Sequence, residues 1–152
     1  MGILPLKGGT VTYEGVLEVD SVSAQELYLR AKRWFVEAYV SSNSVLQLND
    51  SQSNELMGKG NTTAYCSIFT SRVRGVTIDH RIHIQCKAGR YRYQISDFLI
   101  HDDFHTYPDA PPETWTLQQE KPKSVIFDKL NTDMIALIAS LRKAMAKPES
   151  DW

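Results

Sequence analysis

The stretch from Val76 to Ile100 leaves few folds open, because it reads as two long strands joined at Lys87-Ala88-Gly89-Arg90. Val76, Ile78, His80, Ile82, Ile84 and Cys86 alternate with Thr77, Asp79, Arg81, His83 and Gln85. A period of two sends the first set to an apolar face and the second to water. Beyond the turn, Tyr91, Tyr93, Ile95, Asp97 and Leu99 alternate with Arg92, Gln94, Ser96 and Phe98, less cleanly towards the end. A two-residue turn at Ala88-Gly89 pairs Cys86 with Tyr91, Ile84 with Tyr93, Ile82 with Ile95, His80 with Asp97 and Ile78 with Leu99. A slip of one residue sets the isoleucines opposite Arg92 and Gln94, so burial selects the register. The same register predicts a His80 and Asp97 pair on the apolar face.

A chain of 152 residues suits a single domain that needs no staples, with a core spanning about residues 10–147 and a tail at 148–152. Seventeen lysines and arginines against 18 acids leave a formal charge of -1, which predicts no bulk attraction to nucleic acid or an anionic membrane. The longest apolar stretch, Met134 to Leu141, falls far short of the ~20 residues a spanning helix needs. The first residues, Met-Gly-Ile-Leu-Pro-Leu-Lys, match neither a signal peptide nor a myristoylation motif, which fits export after signal removal or a cytoplasmic location. Two cysteines make no disulfide framework. If the chain turns tightly at Gly75, Cys66 falls opposite Arg81 or Ile82, beyond the ~7 Å reach of Cys86. Both read as free core thiols.

Residues 10–20 carry strand formers, with Gly15 as a bulge or close-approach point. Ser23-Ala24-Gln25-Glu26 then forms a capping box. The helix behind it places Leu27, Ala31, Trp34, Phe35 and Ala38 on one face, with Arg30, Lys32, Arg33 and Glu37 mostly away from it. Short strands are predicted over residues 45–48, 55–60 and 64–72. Residues 102–123 hold four prolines, Pro108, Pro111, Pro112 and Pro122, among the acids Asp102, Asp103, Asp109, Glu113 and Glu120, and read as a long loop. Phe127, Leu130, Met134, Leu137, Ile138, Leu141 and Met145 mark a final amphipathic helix, stopped by Pro148. The whole is α+β in the order β-α-β-β-β-β-α, an antiparallel sheet with both helices on one face. The other face stays open, and Arg81, His83, Gln85, Arg92 and Gln94 stand on it.

Val11-Thr-Tyr-Glu, Ser23-Ala-Gln-Glu-Leu-Tyr-Leu-Arg-Ala-Lys-Arg-Trp-Phe, Val45-Leu-Gln-Leu-Asn-Asp, Gly58-Lys-Gly and Gly89-Arg-Tyr-Arg-Tyr-Gln-Ile-Ser-Asp-Phe follow one another in a telling order and spacing. Together they resemble a bacterial family described as a domain of unknown function with a TATA-binding-protein-like (TBP-like) fold. The resemblance covers residues 4–101 and implies a curved antiparallel sheet backed by two helices. It also implies export, since members often look exported. It carries over no catalytic residue, and the Pro-rich segment 102–122 does not map onto the family pattern.

Several chemistries are offered by residue type. Gly58-Lys59-Gly60 is a lone GxG that runs on into strand formers rather than a helix, so it reads as a bulge or turn rather than a phosphate loop. His80 and His83, three apart on a strand, point to opposite faces and cannot share a metal. His101-Asp102-Asp103-Phe104-His105 is a richer ligand set without a known zinc spacing, and reads as a solvated loop. His80 with Asp97 reads as a buried, mutually satisfied pair. Arg72, Arg74, Arg81, Lys87, Arg90 and Arg92 face a strongly acidic segment 97–120, so the acidic loop can fold over a basic sheet face, anchored by Phe104, Tyr107 and Trp115.

The expectation is therefore a non-enzymatic binding or protein-interaction module without metal or cofactor. It presents Arg81, His83, Gln85, Arg92 and Gln94 to a peptide, protein or small anionic ligand, and a homodimer through that face is a further expectation. The alternatives are a small hydrolase-like enzyme using His80 and Asp97 or His101 and His105, and nucleic-acid binding through the basic face. TBP itself straddles DNA with two tandem copies, whereas this chain has length for one.

Overall fold

The computed structural model describes residues 4–39, 45–67, 73–102, 108–115 and 120–147. A small hairpin, β1 (Leu6–Lys7) and β2 (Thr10–Val11), precedes strand β3 (Tyr13–Glu18), helix α1 (Ala24–Ala38), strands β4 (Val45–Asp50), β5 (Glu55–Ser67), β6 (Val73–Lys87) and β7 (Arg90–Asp102), and helix α2 (Glu120–Met145). The five long strands form one antiparallel sheet in the order β3-β7-β6-β5-β4. The architecture is the α+β arrangement expected, with the opening hairpin added.

Lys87 pairs with Arg90 across Ala88-Gly89, and Cys86 with Tyr91, Ile84 with Tyr93 and Ile82 with Ile95, as the alternation predicts. Gly89 takes φ 77, a value that L side chains rarely adopt and that the two-residue turn needs. Further along, the register changes. Asp79 pairs with Leu99 but Arg81 with Ser96, so His80 faces two residues, Asp97 and Phe98. This is a bulge, with Asp97 at φ 57, a conformation Asp tolerates better than most residues. It reverses the parity of β7: Phe98 and Ile100 are buried and Asp97 is exposed. The expected His80 and Asp97 pair is thereby undone, because the two side chains now stand on opposite faces.

Residues 55–60 and 64–72, expected as separate strands, join through 61–63 into the single strand β5 up to Ser67. Its glycines are neither bulge nor turn: Gly58 pairs regularly with Ile82 and Gly60 with His80. They make room instead. A Cβ on Gly58 would sit 2.1 Å from the Phe35 ring and one on Gly60 2.4 Å from the Tyr39 ring. Gly15 serves the same end for Tyr93, as a close-approach point. Cys66 lies opposite Arg74 rather than Arg81 or Ile82, because the β5 to β6 pairing continues past Gly75 to Ser67 and Val73. Cys86 is a free, buried thiol, and burial pushes its pKa up to about 12; the Cys66 side chain is outside the described residues.

Both helices cover the face of Ile78, Ile82, Ile84 and Ile95 with Leu27, Phe35, Leu130, Met134 and Leu141, all buried. Each such side chain contributes about 1.5–3 kcal/mol of burial free energy. Ser23 caps α1 as the capping box predicts, its hydroxyl accepting the Glu26 amide at 3.1 Å. Polar ties fix α2 on the sheet and on α1: Tyr13 donates to Asn131 at 2.7 Å, Thr62 to Asp133, and Trp34 to Ser140 at 3.0 Å. Arg30, expected to point away, is 6% exposed. Its guanidinium bonds Glu26 at 2.8 Å and donates to the Met145 carbonyl at 2.6 Å, where it meets the negative end of α2. Arg30→Ala is expected to cost roughly 1.5–3 kcal/mol, the loss of charged hydrogen bonds at a buried site. A urea midpoint equal to that of the parent protein would contradict this role.

The long loop is shorter than expected. β7 runs to Asp102 and α2 starts at Glu120, with Pro122 inside its first turn, where a missing amide costs nothing. Between them Ala110 bridges Ile100 on the edge of β7 beyond β3, and Pro112 and Trp115 are buried. The described part of the segment thus extends the sheet edge rather than covering the open face. Phe104, His105, Tyr107 and the tail 148–152 lie outside the described residues.

Candidate functional site

Odd positions of β6 and the even positions of β7 before the bulge face away from the helices, and among the described residues no element packs over them. Arg81, His83, Gln85, Arg92 and Gln94 stand together there, across two adjacent strands. The surface is not simply basic. Glu55 of β5 accepts from Gln85 at 3.0 Å and lies 3.0 Å from Nε2 of His83. Hydrogen bonds from Ser53, Gln85 and His83 hold its carboxyl below the usual range. Arg81 donates to Asp97 at 3.0 Å, a pair created by the bulge that took Asp97 off the helix face. Glu14 of β3 lies 3.8 Å from Arg92 and 3.0 Å from Lys7. Acids from β3 and β5 thus interleave with the cations that the hairpin alone presents.

At the far end of the face His101 bridges two carboxylates, with Nε2 2.7 Å from Asp79 and Nδ1 2.8 Å from Asp109. Burial works to lower its pKa, but the hydrogen bonds to Asp79 and Asp109 outweigh it and leave the pKa raised. Lys59 completes the cluster 3.9 Å from Asp79. His101 therefore clips the segment carrying Asp109 to the sheet. Its expected companion His105 is outside the described residues. Among those residues no three His, Cys, Asp or Glu side chains are gathered so as to hold a metal ion.

His80 lies on the helix side, 2% exposed, with Nε2 2.9 Å from the Tyr39 hydroxyl and its ring near Phe98. Nδ1 is buried and has no partner among the described residues. Burial drives the imidazole pKa down to about 4, against a smaller opposing effect of Asp79. A recess of about 110 Å³ on the open side of the bulge is bordered by Lys59, Asp79, His80, Arg81 and Asp97. The imidazole itself is engaged with Tyr39 beneath the helices, so no base and orienting carboxylate are assembled there.

A larger recess, about 290 Å³, lies at the hairpin end of the same face, among Val16, Gln85, Lys87, Arg90 and Arg92. Lys87 and Arg90 were legible as charged turn residues but not as walls of a cavity, since Val16 reaches it only through the β3 to β7 pairing. Glu55 was hidden likewise, because its place opposite Gln85 depends on the β5 register. No helix among the described residues is long and apolar enough to cross a membrane.

A TBP-like protein from Parabacteroides distasonis ATCC 8503 is similar in structure, with TM-score 0.77 and 17% identity over 97% of this chain and 99% of that one. A DUF4468 family protein from Bacteroides ovatus ATCC 8483 gives TM-score 0.72 and 15% identity over 99% of this chain and 95% of that one. At such identities the likeness is one of fold. None of the curated proteins matches the chain. Residues 13–100, more than half of the sequence, match the family described as a domain of unknown function (DUF4468) with TBP-like fold, and the protein belongs to that family.

Proposed function

We propose that the protein is a non-enzymatic binding module whose recognition surface is the open face of β5, β6 and β7. One observation carries this reading: polar side chains on an uncovered sheet are already held in place, Arg81 by Asp97 and both His83 and Gln85 by Glu55. Side chains positioned before a partner arrives lose less rotamer freedom on binding, about 0.5–1.5 kcal/mol for each that is already ordered. Such a face suits a peptide, a protein surface or a small anionic ligand. Nucleic acid suits it less, since Glu14, Glu55, Asp79 and Asp97 interrupt any continuous positive track. A hydrolase reading loses support because the His80 imidazole is turned to Tyr39. An envelope location accords with the exported look of the family, and fractionation of the producing cells tests it.

The test is a thermal-shift screen of peptides and small anions, followed by the double variant Arg81→Ala, His83→Ala. Affinity for a ligand found in the screen is expected to fall at least ~10-fold, about 1.4 kcal/mol. The free variant is expected to lose little stability, because the exposed Arg81–Asp97 pair contributes about 0–1 kcal/mol and the His83 contact with Glu55 is only partly buried. Unchanged affinity for every ligand found would remove these residues from the recognition surface.

A further inference from the structure

The open face treats its basic side chains in two ways. Arg81, Arg92, Lys59, His83 and His101 each have a carboxylate within 4 Å. Lys87 and Arg90, directly opposite each other in the hairpin register, form no ion pair among the described residues. Like charges on directly opposed strand residues repel. Arg92 adds a third cation two residues further on, and its nearest carboxylate, Glu14, is 3.8 Å away and already bonded to Lys7 at 3.0 Å. Glu18 is the strand partner of Arg90 across β3 and β7, yet no ion pair joins them. Unrelieved repulsion of this kind disfavours the free protein slightly and is relieved when an anion enters.

The three cations surround a concavity rather than a flat patch. The recess of about 290 Å³ is bordered by Lys87, Arg90 and Arg92, with the Gln85 amide as a further polar wall and Val16, 62% exposed, as an apolar one. Two guanidinium groups can each offer a planar pair of donors, the geometry that suits carboxylate and phosphate oxygens. Gln85 also touches Glu55, which joins the recess to the His83 pair.

We infer that this recess is an oxyanion-binding subsite of the open face, taking a carboxylate or phosphate group with a small apolar neighbour over Val16. The inference rests on the open face being the recognition surface and names the chemistry recognised at one end of it.

The ¹⁵N-labelled full chain is titrated at low salt with inorganic phosphate and, separately, with a tetraglutamate peptide. Saturable shifts are expected at Lys87, Arg90 and Arg92, weakened by added salt and weakened at least ~10-fold in Lys87→Glu, Arg90→Glu, where repulsion replaces attraction. Both side chains are exposed, and an unchanged spectrum elsewhere shows that the variant is folded. Saturation by phosphate alone assigns the site to phosphate groups, by the peptide alone to protein carboxylates, and by both to oxyanions in general. No saturation with either probe, shifts of equal size around Lys129 and Lys143, or a variant that binds like the parent overturns the subsite. Because Arg81 and His83 lie outside the recess, their double variant fails or succeeds independently of this result.

Discussion

Below pH 6.5 the parent protein is expected to lose stability faster than His80→Gln, by about 3 kcal/mol in total once pH 4 is reached. The sign follows from burial. His80 titrates at about 4 in the folded protein against 6.5 when exposed, so between these values the unfolded chain binds the extra proton. Stability is then complete above pH 6.5 and falls as pH drops towards 4, where the folded imidazole must charge beside Tyr39 and Phe98. Carboxylates that titrate in the same range are common to both proteins and cancel in the difference. Glutamine keeps a polar group near the Tyr39 hydroxyl without the titration. Chemical unfolding at half-unit steps from pH 4 to pH 7.5 measures the effect, and parallel curves for the two proteins would show that His80 is not buried neutral.

Gly58→Ala is expected to cost about 2 kcal/mol, lowering Tm by roughly 6 °C in a chain of this length. Two effects oppose each other. Alanine restricts the unfolded chain and so favours folding by about 0.4–1 kcal/mol. Its Cβ, however, would lie 2.1 Å from the ring of Phe35, a buried side chain held between α1 and the sheet. Overpacking of that kind costs roughly 1–3 kcal/mol, and it wins. The clash has one named partner, so Phe35→Leu in the Gly58→Ala background should cost much less than it does alone, with a coupling of about 1 kcal/mol or more. Calorimetry on the four proteins of the cycle decides the matter: additive losses would mean that Phe35 is not what the glycine accommodates.

The hairpin was legible because each strand carries its burial in its own alternation. Ile82 opposite Ile95 and Ile84 opposite Tyr93 are what exclusion of water selects from that pattern and a two-residue turn. Helix α1 was legible for a similar reason: a capping box and an apolar stripe are both local. Arg30 was misplaced because its partner, the Met145 carbonyl, lies 115 residues away in sequence. The start of α2 was set too late, since composition marked Pro122 as loop while the first turn of a helix accepts proline.

The open face shows the same division. Arg81, His83, Gln85, Arg92 and Gln94 could be assigned to one surface from parity alone, and the structure places them there. Their electrostatic surroundings could not be read, because Glu14 and Glu55 arrive on other strands whose register is set by packing. Asp97 escaped for a subtler reason: a single extra residue opposite His80 turned it from the core to Arg81.

By itself the sequence determined the α+β class, helix α1, the register of the central hairpin up to Ile95 and the family, since these depend on local periodicity and on residue order. Only the tertiary structure decided which charges meet, where the glycines of β5 make room for aromatic rings, and where three cations border one recess. Such contacts join strands distant in sequence, and their energies come from burial and distance, which no local pattern records.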